Sequence, residues 1–336
     1  MAKVISLIAC LLIALGACAP CGGDTTAVIS DISGRFPDDP SLDSLISGYL
    51  RDVDSTSVKH IIQELVGFKT RFMLAENRKE IAFWIRDRFK SYGYEDVVID
   101  SFRNKVEFPL GSNTFHATWQ YNVVATLKGR TKPDSTYVLG AHYDCVAVDT
   151  NVNPFINAPG ADNNASGMAA CLEVARVLKK RGFRPRQTIQ FVAFGSEEFM
   201  TMFADGKSGS EHYVSKIFES EQKVAVMIDN NQIGYSPGSD AWKVDFQNYP
   251  GSAWLTKLAR FLCAKFTRIT PVDAEDHINY TDAHYFAKAG YSTIFFEEFQ
   301  FCPFTLTAED TPDKCNAAYC TEVSRISCAI LIYCNR

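Results

Sequence analysis

Five short apolar runs constrain this chain more than any other feature: residues 122–127, 137–141, 188–194, 224–228 and 292–296 are each bounded by turn residues and read as strands buried on both faces. Stretches with helical periodicity fit between them, at 165–181, 211–219 and 252–266, and a last one follows at 316–333. Ahead of them, residues 76–92 place Ile81, Trp84, Ile85 and Phe89 on one stripe, with Gly93 as a stop. Strands alternating with crossover helices predict an α/β fold with a mostly parallel, mixed central sheet flanked by helices. No long linker or repeat interrupts the chain after Thr56, and 46% hydrophobic content suffices for a large core, so residues 46–336 are expected to form one domain.

The first residues follow a different logic. Lys3 precedes an apolar run over residues 4–17 that is too short to span a bilayer and suits a signal peptide over residues 1–17. Leu15-Gly16-Ala17-Cys18 resembles a bacterial lipobox, so Cys18 is expected to carry lipid, and the chain to reach a bacterial envelope as an exported, anchored lipoprotein. Residues 18–45, rich in Gly, Ser, Asp and Pro, read as a tether. Of eleven cysteines, Cys302, Cys315, Cys320, Cys328 and Cys334 crowd the C-terminal part, where an exported protein is expected to form one or two bridges. A net charge of −5 offers no basic field for a phosphate backbone, which argues against nucleic acid as a partner.

The polar residues that carry chemistry fall at strand ends or just beyond, where open α/β sheets bind ligands. His142 and Asp144 are two apart at the end of a strand and share a face, so the carboxylate can orient the imidazole. Asp162 lies in a loop opened by Pro159-Gly160 and closed by Ser166-Gly167, a place where a carboxylate can be held rigidly against cations. Glu197-Glu198 follows the 188–194 strand, and two adjacent carboxylates there diverge enough for one to ligate and the other to act as a base.

In this order and spacing these residues resemble the M28 family of zinc exopeptidases, which includes bacterial aminopeptidases and the related glutaminyl cyclases. The likeness runs over residues 55–335 and includes Thr70-Arg71-Phe72, the segment 122–129, Gly209-Ser210 and Asp310-Thr311-Pro312-Asp313-Lys314. It implies two zinc ions, with His142 a ligand of one, Glu198 a ligand of the other, Asp162 the bridging carboxylate, Glu197 the general base and Asp144 the partner of His142. It also implies a cis peptide after Asp162, whose neighbour here is Asn163 where the family usually has Asp. The implied reaction is hydrolysis of an N-terminal peptide bond in a peptide or small aminoacyl substrate.

The resemblance breaks at two further ligand positions. Where the family has an Asp in a segment like N-x-D-M-I-G, this chain has Asn231, with Asp229 two residues earlier on the same strand face. Where the family has a His in a segment like H-T-x-x-D-T, it has Leu306, which cannot bind metal. Asp229, Asn231 and His284 are the candidate replacements, His284 and His277 lying in a 275–286 segment that resembles S-D-H-x-x-F with the His displaced by one. His60, His116 and His212 read as structural. The chain is therefore expected to be an active aminopeptidase with rearranged ligands, or a catalytically impaired peptide-binding descendant, or a glutaminyl cyclase-like transferase.

Overall fold

The computed structural model describes residues 36–336 except 37, 110, 199–205, 221, 239–241 and 280. The leader, Cys18, most of the tether and most of the 200–208 loop lie outside the described residues. The elements run α1 (Pro40–Leu50), α2 (Ser55–Val66), α3 (Arg78–Ser91), β1 (Val97–Glu107), β2 (Phe115–Leu127), β3 (Lys132–His142), α4 (Gly167–Lys180), β4 (Gln187–Phe194), α5 (Gly209–Glu219), β5 (Lys223–Asn230), β6 (Lys243–Asn248), α6 (Ala253–Phe266), β7 (Thr270–Ala274), α7 (Asp282–Lys288), β8 (Thr293–Glu298) and α8 (Ala317–Asn335).

The strands form one eight-stranded mixed sheet in the order β1-β2-β4-β3-β5-β8-β6-β7. Its centre is parallel, since β3 pairs with both β4 and β5, and β5 with β8. Antiparallel pairs at β1-β2, β2-β4 and β6-β8 make it mixed. The five apolar runs are thus strands, four of them central; the less apolar β1, β6 and β7, at or near the edges, were not legible as strands.

Period-two alternation divides the side chains between two cores. Ile189, Phe191 and Ala193 of β4, with Leu139 and Ala141 of β3, pack under α3, α4 and α8. Val192 and Phe194 of β4, with Val138 of β3, pack under Tyr213 and Ile217 of α5 and Phe286 of α7. Each fully buried Val, Leu, Ile or Phe among them stabilises the fold by about 1.5–3 kcal/mol.

Two expectations change. The last part of the 18–45 tether is helical: Asp39 caps α1 by accepting from Ser41 and Leu42 N–H at 3.1 Å each, Pro40 suits the first turn, and Leu42, Ile46, Tyr49 and Leu50 are buried. Among the described residues the C-terminal cysteines do not bridge. Cys145, Cys171, Cys263, Cys302, Cys315, Cys320, Cys328 and Cys334 are all free thiols, because α8 places Cys320 and Cys328 in the helical core rather than opposite a partner. No helix among the described residues is long and apolar enough to cross a membrane.

Candidate metal centre

The parallel strands β3, β4, β5 and β8 end along one edge of the sheet, and the polar residues gather there. His142 is the last residue of β3. Its Nδ1 lies 3.1 Å from the Asp144 backbone oxygen, which can only accept, so Nδ1 carries a proton and Nε2 faces inward. Nε2 lies 3.1 Å from Asn231 Oδ1, just beyond β5, and 3.7 Å from Glu197 Oε2.

The acidic pair follows a sharp turn after β4, made at Ser196 with φ +64°. The Asp144 carboxylate holds the turn by accepting from Glu197 N–H at 3.0 Å and from Glu198 N–H at 3.2 Å. Asp144 thus serves the Glu197-Glu198 backbone more closely than it serves the imidazole, whose Nδ1 is 3.7 Å from Asp144 Oδ1. Ligand atoms of His142, Glu197 and Glu198 all lie within 4.8 Å of one another.

Burial by itself would lower the His142 pKa, but the charges of Glu197, Asp144 and Glu198 outweigh it and hold the ring protonated well above its usual range. Burial pushes both glutamates up, Glu198 to about 8, against the attraction of His142. Without a cation the cluster therefore keeps protons to limit its charge.

The loop over residues 159–166 contributes differently from the expectation. Its side chain at the cluster is Asn163, whose Nδ2 donates to Glu198 Oε1 at 2.6 Å. The cis peptide joins Asn163 to Asn164, one residue later than the resemblance implied. Asp162 turns the other way: its Oδ1 accepts from Gly234 N–H at 2.8 Å, and it clusters with Glu298 and Cys302 instead of with His142. Burial and the Asp310 charge raise its pKa to about 7.

The loop is built from below. The buried Arg71 donates to the carbonyls of Tyr143 at 2.7 Å, Pro159 at 2.6 Å and Gly160 at 2.7 Å. Asp310 accepts from Asp162 N–H at 2.8 Å and Asn163 N–H at 3.0 Å. Gly160 has φ +54°, and a Cβ there would meet Asn163 O and Cys145 Cβ at 2.5 Å. Arg71 and Asp310 lay within the segments that carried the resemblance, and a long-range buried role for them was not readable from one sequence.

The remaining candidates are dispersed. Asp229 is buried but accepts from Thr281 Oγ1 at 2.8 Å and Ala283 N–H at 3.1 Å at the start of α7, so it caps a helix. His284, on α7, packs its ring edge-on to Tyr285 and is not part of the cluster. His277 Nδ1 donates to Glu297 at 2.6 Å. Leu306, at φ +61°, packs beside Phe72, Met73 and Val146, where apolar neighbours satisfy a leucine and no metal could replace it. His116 donates from Nε2 to the Phe108 carbonyl at 2.9 Å, His212 stacks on Phe102, and His60 lies beside Glu64 on α2.

Comparison with known proteins gives a family and a fold likeness. The description of peptidase family M28 matches residues 122–331. A probable zinc metalloprotease of Pyricularia oryzae is 31% identical over 223 residues, 62% of this chain and 40% of that protein. A probable aminopeptidase of Saccharomyces cerevisiae is 22% identical over 310 residues, 89% of this chain and 78% of its own. The chain spans less than half the length of the fungal metalloproteases it matches. In fold it resembles LapB from Legionella pneumophila, with a TM-score of 0.71 at 20% identity, covering 93% of this chain and 81% of that one. A glutaminyl cyclase of Bacteroides thetaiotaomicron gives a TM-score of 0.65 at 17% identity, covering 84% of this chain and 98% of that one.

Proposed function

The chain belongs to peptidase family M28, and from that premise we propose that it is a zinc-dependent aminopeptidase that removes N-terminal residues with one metal ion rather than two. The observation that carries this reading is the convergence of His142, Glu197 and Glu198 within 4.8 Å at the carboxyl edge of the sheet. An imidazole and carboxylates are donors zinc accepts readily. The donors for a second ion do not fit: Asn163 and Asn231 are neutral, Leu306 has no donor, and Asp162 points elsewhere.

His142 and Glu198 would hold the single ion, with the Asn231 amide oxygen as a third donor, which leaves Glu197 to act as base. The metal, when bound, supplies Lewis-acid activation of the scissile carbonyl and of water. Glu197 takes a proton at its carboxylate and returns it to the leaving amine; Asp144 fixes its backbone for that transfer. Export by the 1–17 leader and anchoring at Cys18 complete the proposal, supported by the lipobox residues.

A second reading, peptide binding without hydrolysis, is favoured by one specific observation. The Asn163 amide donates to Glu198 and the Asn231 amide oxygen faces His142 Nε2, so both candidate ligands have amide partners within the protein. Glutaminyl cyclase-like transfer has no such support, since Leu306 removes a ligand from it as well.

Zinc-supplemented protein assayed on aminoacyl reporters decides between the first two. Hydrolysis that falls about 10²–10⁴-fold in Glu197→Gln, with the zinc content unchanged, supports the peptidase. No hydrolysis, together with saturable binding of an uncleaved peptide, sinks it in favour of the second reading.

A further inference from the structure

Asp162 is fully buried, and apart from the Glu298 carboxyl beside it, its Oδ2 has no hydrogen-bond partner among the described residues. Facing it is Glu298, the last residue of β8, whose Oε2 accepts from Tyr235 N–H and whose Oε1 accepts from Cys302 N–H, each at 2.7 Å. That second bond folds the following loop back, so that one carboxylate oxygen of each acid and the Cys302 sulfur lie within 4.8 Å of one another. All three residues are buried, and neither acid forms an ion pair with Lys, Arg or His among the described residues. Two buried carboxyl groups facing each other require a proton or a cation between them, and a sulfur at the same spot favours a cation that accepts thiolate.

Cys315 approaches the cluster from one side without joining it. A Cβ on Gly234 would come 2.8 Å from Asp162 Oδ1 and 3.2 Å from Cys315 Sγ, so the missing side chain at Gly234 leaves room where both approach. Cys315 also lines a surface cavity of about 570 Å³ with Ser236, Pro312, Asp313, Lys314 and Asn316.

We propose that Asp162, Glu298 and Cys302 form a buried zinc site separate from the cleft. One sulfur and two carboxylate oxygens are donors zinc accepts, with the fourth position of a tetrahedral site left to water. The site ties the loop bearing Asn163 to the end of β8 and to the loop that follows it, holding one wall of the cleft. It does not depend on whether the cleft hydrolyses anything.

Cobalt(II) titrated into the purified full chain, with thiols kept reduced, tests this directly. The expected result is a thiolate-to-cobalt charge-transfer absorption in the near ultraviolet that disappears in Cys302→Ser, weakens in Glu298→Gln and persists in Glu198→Gln, which alters only the cleft. Absence of that absorption at saturating cobalt, or its survival in Cys302→Ser, overturns the site. Should the variants fail to fold, zinc-edge anomalous diffraction from zinc-soaked wild-type crystals decides. A peak between Asp162 and Glu298 upholds the site, whereas no peak there leaves only a shared proton and overturns it.

Discussion

Asn163 donates its side-chain amide to Glu198 Oε1 at 2.6 Å, and this one bond occupies a cleft carboxylate that the family resemblance assigns to zinc. Replacing the amide by a carboxylate reverses its sense. In metal-free Asn163→Asp, a buried and a part-buried carboxyl group face each other without a donor, and the expected cost is about 1–3 kcal/mol in urea unfolding. Added zinc should recover that loss, with an affinity at least about 10-fold tighter than wild type by calorimetry. An affinity unchanged by the substitution would show that this position does not face the ion.

Asn231 gives a parallel expectation on the other side. Its Oδ1 lies 3.1 Å from His142 Nε2, so Asn231→Asp places a full charge beside the imidazole. Zinc binding measured in the Asn231→Asp, Asn163→Asp double variant should exceed the sum of the single gains in free energy, because both carboxylates meet the same ion. Additive gains would mean that the two residues address different positions.

Arg71 is expected to be the costliest single loss outside the cluster. Its guanidinium spans three carbonyls from two segments at 2.6–2.7 Å and is 1% exposed. Arg71→Met leaves those oxygens unpaired in the interior, which should destabilise the chain by about 3–5 kcal/mol in urea unfolding. Arg71→Lys should recover only part of it, since one ammonium cannot reproduce the planar fork. Full stability of the lysine variant would rule out the three-carbonyl role.

The sequence carried the sheet's centre well because continuous apolar runs have one stable use, burial on both faces. It carried the edges poorly: β6 holds Lys243, Asp245, Gln247 and Asn248, whose polarity hides a strand that has one half-wet face. At the site, His142, Glu197 and Glu198 were legible because each ends or follows a strong strand. The 159–166 loop was not, since its chain reverses over consecutive polar residues and a one-residue offset decides which side chain enters the cleft. Asp162 and Asn163 therefore exchange places relative to the expectation. Asp229 misled for another reason, because a buried carboxylate at a strand end can cap a neighbouring helix as readily as it can bind metal.

The pairing of β6 with β8 places Asp245 directly across from Glu297. Burial, reinforced by the charges of Glu297 and Asp276, raises the Asp245 pKa to about 7. The folded state therefore holds a proton that the unfolded chain has already released above its ordinary carboxylate range, so stability from this group is full at low pH and declines as pH rises through about 7. His277 acts in the same direction: its bond to Glu297 raises its pKa, and the resulting stabilisation is lost as pH climbs through the folded value. The urea midpoint of the wild type should accordingly fall between about pH 5 and pH 8. In Asp245→Asn the fall should be smaller, with a midpoint above wild type at the alkaline end, because an amide carries no charge to oppose Glu297. Equal falls in the two proteins would show that Asp245 ionises without cost beside Glu297.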